Sequence, residues 1–63
     1  MRGTVKFFNQ EKGFGYITLA NSDEDLFVYS TDLTEHIRQG DEVKFDVERG
    51  KRGMNAVHVR LVK

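Results

Sequence analysis

Apolar and polar residues alternate with a period of two along most of this chain, and that rhythm leaves few folds open to it. Successive side chains of a strand point to opposite faces, whereas a helix repeats every 3.6 residues or about that. "TVKFFN" (4–9) is β-branched and aromatic, and "FGYITL" (14–19) alternates. In "DLFVYS" (25–30), Leu26 and Val28 fall on one side and Phe27 and Tyr29 on the other. "EVKFDVE" (42–48) sends Val43, Phe45 and Val47 inward, and "AVHVRLV" (56–62) groups Val57, Val59 and Leu61 opposite His58 and Arg60. Turn signals separate these runs at "NQEKG" (9–13), "NSDED" (21–25) and "RGKRG" (49–53). Only "TDLTEHIRQG" (31–40) lacks the period. It reads as one helical turn or an irregular crossover, with Leu33 and Ile37 as plugs and Gly40 at its end. Five short strands at this spacing predict a small closed β-barrel, the arrangement that removes exposed edges.

Size sharpens this expectation. A chain of 63 residues makes one small domain. It buries only about 60% of the surface it exposes when unfolded, so its core is thin and its stability a few kcal/mol. With no cysteine, neither a disulfide nor a cysteine-ligated zinc staples it. No stretch approaches the roughly 20 apolar residues of a membrane span, and the N-terminus has no signal-peptide character. The default expectation is a reduced, cytoplasmic, soluble protein.

The stretch "KGFGYI" (12–17) raises the functional question. Phe14, Tyr16 and Thr18 share one face of their strand, and Gly15, Ile17 and Leu19 share the other. Leu26 and Val28 are the natural core partners of Ile17 and Leu19, which sends Phe27 and Tyr29 outward beside Phe14 and Tyr16. Gly15 then permits tight curvature or close backbone approach. Phe7 and Phe8 are adjacent and cannot both obey the alternation. One joins the outward rings, and the other caps the barrel, sits at a bulge or fills a small core under the crossover. Four or five exposed rings on so small a chain mark a binding surface.

The formal net charge is zero, yet the charges are segregated. Residues 1–19 balance at +2, residues 20–48 at −7 and residues 49–63 at +5. If the ends meet in the fold, one face is positive; a solvated mixed surface is the plainer reading. Flat rings flanked by Lys6, Lys12, Arg52 and Arg60 suit single-stranded nucleic acid. Each base offers a π-face worth roughly 1–3 kcal/mol on an aromatic ring, and the cations track the phosphates.

Other chemistry finds no support. "GFGYIT" starts like a nucleotide-binding glycine loop, but the third small residue is missing and a strand follows. His36 and His58 lack metal-ligand spacing, Asp23, Glu24 and Asp25 do not continue into a calcium loop, and no serine or threonine has a recognisable base partner. No enzyme, cofactor or metal is expected.

In the order "VKFFN", "KGFGYI", "DLFVYS", the chain resembles the bacterial cold-shock proteins and related cold-shock domains, whose first strand and two RNP motifs these stretches match. Weaker matches at "QGDEVKFDV" and "RGMNAVHV" extend the resemblance over the whole chain. It implies an all-β fold, a small five-stranded antiparallel OB-type β-barrel, with residues 1–63 as a single cold-shock domain. It also implies binding of single-stranded RNA and DNA, an RNA-chaperone activity and a role in regulating transcription and translation. Carried over, the match implicates Lys6, Phe7, Phe8, Asn9, Lys12, Phe14, Tyr16, Phe27, Tyr29 and Arg52. No membrane and no small-molecule substrate is expected, and the chain is taken as a monomer.

This chain departs from the family pattern in four places. Phe7 stands where tryptophan is usual, Tyr29 where histidine is usual, and Ser30 where an aromatic is common. The crossover is shorter and lacks the phenylalanine often found there, which implies a shorter site. Two other readings stay open. One is a protein-interaction barrel using the same aromatic face, favoured by the zero net charge. The other is an RRM-type binder, which requires two helices behind four strands.

Overall fold

The β-branched and aromatic runs form five strands in the computed structural model, which describes residues 1–50 and 53–62. They are β1 (Arg2–Asn9), β2 (Phe14–Leu19), β3 (Asp25–Tyr29), β4 (Glu42–Gly50) and β5 (Gly53–Leu61). The strands close into a barrel in the order β1-β2-β3-β5-β4, with β4 returning to β1. All pairings are antiparallel except β3 with β5. Closure satisfies the backbone groups that an open sheet would leave at its edges.

The inward residues are those that period two selects on β2, β3 and β4. Ile17, Leu26, Val28, Val43 and Phe45 are buried, with Val5, Ala56 and Val59 completing the strand contribution. Among the described residues no polar or charged side chain is buried. Each fully buried aliphatic or phenylalanine side chain contributes about 1.5–3 kcal/mol, so a core this small has little to spare.

The crossover forms a 3-10 turn over Ser30–Asp32 and then runs irregularly. Leu33 bridges to Val59, and Ile37 is 0% exposed, plugging the barrel as its sequence position predicts. Gly40, at φ 92°, ends the segment in a conformation that only glycine adopts freely.

Two bulges break the alternation. On β1, Val5 faces Ile17 and Phe7 faces Tyr16, which leaves Lys6 as the extra residue. The phase therefore slips, and Lys6 and Phe7 both lie outward. On β5, Lys44 faces Arg60 and Asp46 faces Val57, so Phe45 opposes both His58 and Val59. His58 takes φ 54°, the left-handed conformation that bulges accommodate. Ala56 and Val59 thus both reach the core. Val57, expected inward with Val59 and Leu61, is half-buried on the outer face instead.

Candidate nucleic-acid interface

Five rings gather on the outer face of β1, β2 and β3. Cross-strand register does the gathering: Phe7 lies opposite Tyr16, Tyr16 opposite Phe27, and Phe14 opposite Tyr29. Phe27 is the hub. Its ring centroid is 5.6 Å from Phe14 with planes 4° apart, 5.4 Å from Tyr16 with planes 89° apart, and 4.6 Å from Tyr29. Phe7 joins through an edge contact with Phe14 at 6.1 Å. Such ring pairs contribute about 0.5–1.5 kcal/mol each beyond their area, which fixes the platform without burying it. Phe7, Tyr16 and Tyr29 are 41%, 38% and 38% exposed, and Phe14 and Phe27 are half-buried among them.

Phe8 lies apart from this set. It faces Gly15 on the inner side of β1 and packs, half-buried, against the core. Of the alternatives for the Phe7–Phe8 pair, Phe7 takes the outward place and Phe8 the inner one. The bulge that separates them falls at Lys6.

Two cations border the rings. The Lys6 ammonium donates to Asp25 Oδ2 at 2.9 Å, and Asp25 Oδ1 accepts from Thr18 Oγ1 at 2.8 Å. The hydrogen bond and charge of Asp25 raise the Lys6 pKa above its ordinary value. The hydrogen bonds from Lys6 and Thr18 hold the Asp25 carboxyl below its own. Lys12 has no side-chain ion pair among the described residues. It lines a shallow groove with Phe14, Tyr16, Phe27 and Tyr29. Asn9 positions it, since Asn9 Oδ1 accepts from the Lys12 amide at 2.9 Å and Asn9 O accepts from the Gly13 amide at 2.8 Å. Gly13, at φ 74°, completes the turn that delivers Lys12 and Phe14 to the face.

Arg52 lies outside the described residues. Arg60, expected beside the rings, sits at the far end of β5 opposite Lys44, where the register of the β4–β5 pair carries it away from β2 and β3. Two residues at the platform were not singled out as site residues. Asp25 was legible, because it precedes Phe27 by two and so shares its face. Met54, 46% exposed, lines a second groove with Tyr16, Glu24, Asp25 and Phe27. Its placement depends on the β3–β5 pairing, which local pattern does not encode.

Among the described residues no helix is long and apolar enough to cross a membrane. The chain's relatives agree with the geometry. The 'Cold-shock' DNA-binding domain family matches residues 1–62. The chain is 46% identical over 63 residues to the cold shock protein CspC of Bacillus subtilis, covering 94% of each. It is 43% identical over 61 residues to the cold shock-like protein CspG of Shewanella violacea, covering 90% of this chain and 87% of that one. Its fold matches the drosophila Unr CSD456 with a TM-score of 0.80 at 23% identity, over 98% of this chain and 26% of that longer one. Proteins of the matched family bind nucleic acid and are not enzymes. With a closed five-stranded barrel carrying its rings on β1, β2 and β3, the chain belongs to the cold-shock domain family.

Proposed function

We propose that this protein binds single-stranded RNA and DNA by stacking bases on Phe7, Phe14, Tyr16, Phe27 and Tyr29, with Lys12 and Lys6 beside the phosphates. The observation that carries this reading is the ring cluster itself, held outward by register and partly exposed. Every base has a π-face, so such a surface discriminates weakly among sequences. A paired base has its faces covered by its neighbours. Binding therefore draws on the unpaired population and shifts the equilibrium toward open strands. That is the work of an RNA chaperone, and in this reading the protein regulates transcription and translation by keeping transcripts unpaired. It acts in the cytoplasm, as a monomer and as one domain over residues 1–63.

Fluorescence anisotropy with a labelled seven-nucleotide oligo-dT tests this. With about two or three phosphates neutralised, log affinity against log salt should have a slope near −2. Binding that ignores salt would favour a protein partner for the same rings. A slope of −5 or steeper would mean that phosphate contacts, and not stacking, dominate.

A further inference from the structure

The segregated charges of the two chain ends have a structural outcome away from the rings. Arg2 on β1 lies directly opposite Lys44 on β4, and Lys44 lies directly opposite Arg60 on β5. All three are on the outer face, because their neighbours Gly3, Val43 and Phe45 are buried and Leu61 is turned inward opposite Val43. Three cations thus stand in one row across three adjacent strands. Like charges directly opposite one another in a sheet are destabilising, so this row costs the fold something.

Acids flank the row but do not cancel it. Glu42 reaches Arg2 only at 3.9 Å, with both side chains more than half exposed. Asp46 is engaged by the His58 ring at 3.1 Å. Arg60 donates to the His58 carbonyl oxygen at 3.0 Å, which holds its guanidinium along the surface without neutralising it. Lys44 has no ion pair among the described residues.

We infer that Arg2, Lys44 and Arg60 form a second phosphate track, which takes the backbone of a strand too long for the ring face. Charge complementarity names the occupant. The row spans two strand spacings, roughly 10 Å, a length matched by about two or three successive phosphates. It contains no ring, so it contributes affinity without base contacts. β1 belongs to both surfaces: its Asn9 end borders the rings and its Arg2 end begins the row, giving one nucleic acid a continuous route around the barrel. This inference rests on the ring face holding the first segment of the strand.

The double variant Arg2→Gln/Lys44→Gln tests it, since neither side chain makes a hydrogen bond among the described residues. Binding of a six-nucleotide oligo-dT, which the rings alone accommodate, should stay within twofold of the unmodified protein. Binding of a twenty-nucleotide oligo-dT at low salt should weaken about fivefold, with the salt slope shallower by about 1. Arg60→Gln, measured separately, should reproduce the length-dependent loss. Equal losses for both lengths would reveal a diffuse charge effect and overturn the track, as would no loss with either. If the unmodified protein fails to bind even the six-nucleotide strand, the ring-face reading falls and the track falls with it.

Discussion

Phe8 lies directly across from Gly15, and its ring occupies the space a side chain at Gly15 would need. A Cβ built on Gly15 would fall 2.6 Å from Phe8 Cδ1 and 2.8 Å from Phe8 Cα, and closer still to the carbonyl oxygen of Phe7. The glycine between Phe14 and Tyr16 is therefore a receptor for Phe8 on the inner side of the sheet. The outward rings Phe14 and Tyr16 flank it on the opposite face, so its close contacts belong to the fold and not to the platform.

Gly15→Ala should consequently destabilise the fold by about 1–3 kcal/mol, since two of its three close contacts are backbone and cannot rotate away. Denaturant unfolding measures this. Molecules that remain folded should bind oligo-dT as before. A neutral change would show that the β1–β2 approach is looser than this geometry.

The Lys6–Asp25 pair sets a limited pH dependence. Asp25 has a lowered carboxyl pKa, so its contribution is present above its unfolded value, ordinarily 3.8, and is lost as pH falls through the lower folded value. Lys6 has a raised pKa, so its contribution is full below its unfolded value, ordinarily 10.5, and is lost as pH rises through the higher folded one. The stability difference between the unmodified protein and Asp25→Asn should be flat from about pH 5 to 9 and shrink in stronger acid. It should be small throughout, since the pair is open to water. A difference that changes near neutrality would assign the effect to another group.

Ser30 follows Tyr29 at the start of the 3-10 turn, with its small side chain against Gly13 beside the ring cluster. It is exposed, its amide donates to Gly13 O at 2.9 Å, and Gly13 offers no side chain to obstruct a larger neighbour. On the ring face affinity should level off at about four or five nucleotides, rising again only for strands long enough to reach the Arg2 row, and Ser30→Phe should add about 1 kcal/mol and extend that first limit. Anisotropy across oligo-dT lengths reads both. Gains continuing to eight nucleotides in the unmodified protein would show that other groups replace the absent ring.

Much of this was legible in the sequence wherever period two ran unbroken. The rings of β2 and β3 fell on the outer face and Ile17, Leu26 and Val28 on the inner one, because alternation there meets no bulge. The crossover was readable through its plug: Ile37 is the apolar residue the barrel swallows whole. What escaped were departures in register. The adjacent rings Phe7 and Phe8 signalled a break in β1 but not its place at Lys6, and the left-handed turn at His58 carries no compositional mark, since it is not a glycine. A bulge is settled by what the partner strand needs, here the burial of Val59 and Ala56 against Phe45. Arg60 was misplaced for a related reason. Which strands adjoin is fixed by closure of the whole barrel, and the parallel β3–β5 pairing brings only residues 55 and 56 of β5 next to β3.

The division of β2 into a wet face and a core face is the central claim, and paired substitutions on that strand test it most directly. Phe14→Ala loses two ring contacts but opens no core cavity, so it should lower the unfolding midpoint far less than a core truncation, leave the chain folded, and weaken oligo-dT binding by about 1–3 kcal/mol. Ile17, which is 0% exposed, points the other way. Ile17→Ala should cost about 2–5 kcal/mol of stability, enough to unfold most of so small a domain. Denaturation and anisotropy on the two variants should therefore fail in opposite assays. If Phe14→Ala unfolds the protein while the folded remainder binds as tightly as before, the strand presents its other face and the ring platform is wrong.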